Sequence, residues 1–347
     1  MRVCGARPVA ENNLVLILNG PLTSVCILIG CVGNVYSLVF LTRVKMKKAL
    51  KWYLTCLTAW DTCVLLCSFG SYSLESVCNL LIGQFKGSRL LWSYFMFFFS
   101  GPLNTSLTGS IWITVTITFA RFWAVYRPFH SQSGSFLTNR GTVCAVVSVL
   151  AVIYSVPCYD ELTLKPCQEF NGSTSVEVRS NLLLNPLYLL IYRTILYCIF
   201  ITAGPFLFIL SASVCIMYIL YNRSYQAARA PRSPVLERRD RRTRKRTGLL
   251  LGVLLGKFLA CYLLPTSLMT TISLAGNEII FVSSLIRNMS YLSNFFVILN
   301  SATNCLVYAL WRTKETGRKK LSDMSFGKRR NGSASLSESG GGGGTFV

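Results

Sequence analysis

Seven long apolar stretches organise this chain, at residues 22–41, 50–74, 90–126, 142–156, 187–221, 248–274 and 279–311. A helix needs roughly 20 apolar residues to cross the hydrocarbon core of a bilayer. The fourth stretch, short and rich in Ala, Val and Ser, is the weakest signal. So many spans in 347 residues leave no room for a soluble core. The pattern predicts an all-α membrane protein, a seven-transmembrane helix bundle over 19–311. A short extracellular N-terminus, 1–18, precedes it, and a largely disordered cytoplasmic tail, 312–347, follows. Residues 1–13 hold no apolar core of their own, so the first span is expected to act as an uncleaved anchor.

Charge sets the expected orientation. The chain is 52% hydrophobic, with a mean hydropathy of +0.47 and a net charge of +22. Its basic residues crowd alternate connections: Arg43, Lys45, Lys47, Lys48 and Lys51 after the first span, residues 223–246 after the fifth, and the tail. Basic loops stay cytoplasmic during insertion. The N-terminus is therefore expected outside and the C-terminus inside, in a multi-pass protein of the plasma membrane. A nucleic-acid surface does not fit, because the charge lies in membrane-adjacent loops. Residues 157–186 read as an outer loop and 222–247 as a basic inner connection.

Polar groups inside a bilayer are costly and so carry information. Asp61 lies mid-span in the second stretch, and Asn34 lies at matching depth in the first. Ser110 belongs to the third, and Asn300, Ser301 and Asn304 to the seventh. A lone intramembrane carboxylate needs a partner or a proton. No Lys or Arg reads as lying at its depth; Lys257 reads as snorkelling to the cytoplasmic headgroups. These residues predict a polar network around Asp61 that holds a sodium ion, against the plainer alternative of an acid merely bonded to neighbouring helices. No other cofactor is expected, and no Cys/His grouping suggests a metal.

The motif set resembles the rhodopsin-like (class A) G protein-coupled receptors over about 22–311. Gly33-Asn34 stands in the first span, and Leu57 with Asp61 in the second. Ala120-Arg121-Phe122 ends the third, with Pro128 after it. Pro205 and Pro265 interrupt the fifth and sixth, and Asn304-Cys305-Leu306-Val307-Tyr308 lies in the seventh. The run from Gly101 to Trp112 is similar to invertebrate FMRFamide-receptor-like peptide receptors, as are Tyr53-Leu54-Thr55 and Ile191-Tyr192-Arg193. The resemblance implies that Arg121, Pro265 and Tyr308 serve activation and coupling to a heterotrimeric G protein.

This chain also departs from the family pattern. Ala120 replaces the acidic partner of Arg121, Leu263 replaces a tryptophan, and the fourth span has no tryptophan. Cys305 stands in place of proline, which should leave the seventh helix less kinked. Cys167 matches the family's outer-loop cysteine, but the third-span partner position is Met96. Cys78 is the preferred substitute, with Cys158 and Cys4 as alternatives.

The expected ligand pocket draws on Tyr72, Glu75, Phe97, Phe98 and Asn104 from the second and third spans. Tyr188, Tyr192, Arg193, Met269 and Tyr291 complete it. Asp160, Glu161, Glu169 and Glu177 would steer a cationic peptide or simply form a solvated loop surface. Asn171 heads a sequon on the outer loop and is a candidate for glycosylation. The Ser-rich tail offers sites for a kinase and arrestin, and Thr345-Phe346-Val347 fits a PDZ domain.

The resulting reading is a receptor, not an enzyme, for an extracellular ligand of FMRFamide-like neuropeptide type. A chemosensory receptor for environmental small molecules is the nearest alternative. A transporter or channel is disfavoured by the odd span number, the lack of repeats and the single membrane carboxylate.

Overall fold

The computed structural model describes residues 17–43, 48–74, 77–78, 88–126, 140–168, 174–227, 252–268 and 284–306. Each of the seven apolar stretches contains helix among these residues. They are α1 (Thr23–Arg43), α2 (Lys48–Ser68), α3 (Ser88–Tyr126), α4 (Arg140–Tyr159), α5 (Ala203–Ala227), α6 (Gly252–Leu268) and α7 (Ser284–Ala302). The segments Gly20–Arg43, Leu50–Ser73, Gly141–Tyr159 and Pro186–Ile219 are long and apolar enough to cross a membrane. The helical core belongs to a unit spanning Met1–Cys305; of a second unit, Leu306–Val347, only Leu306 is described.

The burial pattern is that of a protein solvated by lipid. Val32 is 73% exposed and Met217 70%, while Asp61 and Asn34 are wholly buried. Apolar side chains face outward because acyl chains solvate them, and polar groups turn inward to satisfy one another. Helix α3 lies at the centre, packed against α2, α4 and α5, while α7 packs on α1 and α2. Its 39 residues extend about 58 Å, well beyond a bilayer core. One apolar cluster joins α3, α5 and α6 through Ile111, Ile209, Leu255 and Phe258. Another joins α1, α2 and α7 through Ile27, Leu65, Ile298 and Ala302. A side chain at Gly30 would bring its Cβ within 2.6 Å of Ala302 Cβ, so glycine sets the approach of α1 to α7.

The stretch 157–186, expected as a loop, contains a β-hairpin. Strand β1 (Leu162–Gln168) pairs antiparallel with β2 (Thr174–Ser180), Leu162 opposite Ser180 and Gln168 opposite Thr174. The alternation of Val176 and Val178 with polar residues is a strand signal. Ser93 Oγ donates to the Val176 carbonyl at 2.8 Å and ties the hairpin to α3.

The fifth span is broken rather than continuous. Pro186 opens it at the first helical position, and Asn185 caps it by accepting from the Leu187 N–H at 3.0 Å. A π-helical stretch, Leu189–Leu196, follows, and the helix breaks after Phe200. Pro205 explains the break, since it has no N–H to donate and its ring opposes the carbonyl four residues earlier. The Trp112 indole N–H of α3 donates to the Phe200 carbonyl at 2.9 Å, satisfying an acceptor at the break. Gly204 is needed beside it, because any Cβ there would collide with the Ile199 carbonyl.

The seventh span also breaks, at Thr303, despite Cys305 in place of proline. Thr303 Oγ1 donates back to Leu299 O at 2.7 Å, and the next carbonyl, that of Asn300, accepts from the Lys257 ammonium. Side chains rather than a proline ring therefore loosen this turn.

Candidate functional site

Asp61 on α2 is the hub of a buried polar centre. Its Oδ1 accepts from Ser110 Oγ of α3 at 2.7 Å and from Ser301 Oγ of α7 at 3.0 Å. Its Oδ2 accepts from Asn304 Nδ2. Asn34 of α1 joins by donating to the Ser301 carbonyl at 3.3 Å. Five of the six residues grouped by sequence are thus brought together; Asn300 is buried too, but its Oδ1, like that of Asn34, lacks a hydrogen-bond partner among the described residues.

Lys257 departs from the expected snorkelling position. It does not run to the headgroups; its Nζ donates to the Asn300 carbonyl and to Asn304 Oδ1. Helical spacing puts it on the face of Leu254 and Cys261, which are both buried. That periodicity is the signal sequence reasoning passes over, because a single cation near a helix end has two outlets.

A second feature lies toward the hairpin end. A cavity of about 70 Å³ opens between α2, α3, α6, α7 and the fifth span. This is the scale of a side chain or a few waters. Tyr72, Tyr197, Tyr262, Thr202, Ser293 and Asn294 supply its polar groups, with Leu103, Leu107 and Ile111 among the apolar walls. Pro265 also lines it.

Of the expected pocket residues that are described, only Tyr72 lines this cavity. Phe97 is 37% exposed and Phe98 73%, so Phe98 in particular faces away from the interior. Asn104 spends its Nδ2 on the Ser100 carbonyl at 3.0 Å within α3. Tyr291 is half-buried and outside the lining. Glu75 and Met269 lie outside the described residues, as do Glu169, Asn171, Tyr308 and the tail.

Tyr188, Tyr192 and Arg193 form a separate knot behind the cavity. Glu161, only 4% exposed, accepts from Arg193 Nε at 2.6 Å and from its terminal Nη2 on the other oxygen. Tyr188 donates a further bond to Glu161 at 2.6 Å. Bidentate geometry suits a guanidinium facing a carboxylate. Glu161 is therefore a buried counter-ion, not a steering charge, and Arg193 is already paired. The guanidinium also sits 5.6 Å from the centre of the Tyr197 ring, which walls the cavity. The Tyr188, Tyr192 and Tyr154 rings stack in series with centroids 5.1 and 5.4 Å apart.

The expected Cys78–Cys167 bridge does not form. Cys78 is a free thiol, whereas Cys167 is disulfide-bonded. Cys158 is free as well, its sulfur 3.3 Å from the Tyr192 hydroxyl, and Cys4 lies outside the described residues. The hairpin that carries Cys167 is held against α3. Arg121, half-buried near the end of α3, makes no ion pair among the described residues.

Comparison with known proteins relates the chain to a receptor family and to a relative. The family described as "7 transmembrane receptor (rhodopsin family)" matches residues 33–308. A protein of Drosophila melanogaster named FMRFamide receptor is 27% identical over 331 residues. That alignment covers 93% of this chain and 56% of the relative, so the chain spans little more than half of that protein's length.

Proposed function

The chain belongs to the rhodopsin family of seven-transmembrane receptors, and on that premise we propose that it is a G protein-coupled receptor for an extracellular peptide. The observation that carries the ligand class is the cavity framed by Tyr72, Tyr197 and Tyr262, with the Asn294 amide on its wall. Aromatic rings there suit an aromatic side chain, while hydroxyls and an amide suit a polar terminus such as a carboxamide. A cavity of side-chain size takes the end of a peptide and leaves the rest toward the hairpin. The FMRFamide receptor match points the same way. Arg121 would face the G protein at the opposite end of α3. Membership of this family also sets the chain among receptors rather than enzymes.

The test is a panel of peptides ending in Phe-amide, with the same peptides as free acids, applied to cells reporting both cAMP and calcium. Responses to amidated peptides, lost in Tyr262→Ala at equal surface expression, are the expected result. Silence to every peptide, with responses to environmental small molecules, would transfer the assignment to a chemosensory receptor.

A further inference from the structure

We propose that Lys257 is a tethered internal counter-ion for Asp61 and closes the polar centre of this receptor to sodium. The Asn304 amide lies between the two charges. A lysine ammonium has no acceptor and a carboxylate no donor, so an amide between them has one consistent orientation. Asn304 adopts it, with Oδ1 toward Lys257 and Nδ2 toward Asp61. The ammonium is anchored a second time on the Asn300 carbonyl.

The donor set does not fit a sodium ion beside this lysine. Both oxygens of Asp61 already hold hydrogen-bond donors, on Oδ1 from two serines and on Oδ2 from Asn304. The unpartnered Oδ1 atoms of Asn34 and Asn300 would suit either a cation or the hydrogens of water. Charge decides between them. One carboxylate and one ammonium cancel, and a sodium ion would add an uncompensated positive charge to a buried centre. Unlike a diffusible ion, the ammonium cannot leave, because its stem is fixed in α6. It therefore links α6 to α7 and, through Asn304, to α2.

The test compares thermal unfolding of the full chain in lipid nanodiscs, in sodium chloride and in choline chloride of equal concentration. The wild type is expected to show no sodium-specific shift. Lys257→Met leaves Asp61 without its cation and should gain a sodium-specific rise in Tm of about 3 °C at tenfold saturation. Asp61→Asn combined with Lys257→Met removes both charges and should lose that response. A sodium-specific rise in the wild type overturns the proposal, as does a Lys257→Met variant that folds and stays insensitive. If Lys257→Met does not fold in either salt, the double variant decides. Recovery of folded protein supports the pairing, and a double variant no better than Lys257→Met overturns it. The readout needs neither peptide nor G protein, so its failure is distinct from failure of the receptor assignment.

Discussion

The carboxylate of Asp61 and the ammonium of Lys257 share a single amide, that of Asn304, which donates to the first and accepts from the second. This relay puts three helical spans under one constraint. Asp61 belongs to α2, Lys257 to α6, and Asn304 lies just beyond the end of α7. Motion of α6 away from α7 must break it.

Removing the relay should therefore weaken the whole bundle. Asn304→Leu leaves Asp61 short of a donor and Lys257 short of an acceptor in a buried centre. A loss of about 2–4 kcal/mol is expected, read as a lowered Tm in detergent or nanodiscs. A variant that unfolds with the wild type would show that the amide carries no weight.

The Glu161–Arg193 pair should behave as a coupled unit. Glu161→Gln and Arg193→Met each leave one buried charge exposed to desolvation without its partner. Each single change is expected to destabilise by about 3 kcal/mol, and the double variant by less than the sum. Additive losses in a double-mutant cycle would mean the two side chains act independently.

Cysteine chemistry gives a direct check of connectivity. Under non-reducing conditions Cys78 should react with a thiol reagent and Cys167 should not. Cys78→Ser is expected to leave stability unchanged, whereas Cys167→Ser should lower it by about 2–4 kcal/mol. Peptide mass spectrometry showing Cys78 joined to Cys167 would contradict the structure.

Resting activity follows from Arg121. It makes no ion pair among the described residues, and its neighbour is Ala120. Supplying an acid at that position, Ala120→Glu, offers the guanidinium a partner worth about 1 kcal/mol at an interface. Ligand-independent signalling should fall several-fold, because a bias of that size shifts a two-state population by this amount. Equal basal signalling at equal surface expression would show that Arg121 is held by something else.

The helical, membrane-protein character of the chain is legible in the sequence because a bilayer imposes one-dimensional rules. Length and hydropathy set where helices can cross, and Pro205 marks the break in the fifth span through its missing N–H. The polar set of Asn34, Asp61, Ser110, Asn300, Ser301 and Asn304 is legible for a related reason, since each would be costly facing lipid. The pocket is much less so. Phe98 and Tyr72 are both aromatic and both near the hairpin end, yet one faces outward and the other walls the cavity.

What the sequence by itself determined is the chain's class, its helical stretches and the uncharged polar residues grouped with Asp61, but not Lys257. Only the tertiary structure decided the partners: Lys257 with Asn304, Glu161 with Arg193, and Cys167 with a cysteine other than Cys78 or Cys158. The physical reason is rotational. A lipid-bathed helix is apolar on nearly every side, so its pattern does not set how it turns about its own axis. Long side chains such as lysine and arginine can reach water or a buried acceptor from the same backbone position. Contacts between helices settle that rotation, and with it where each charge ends.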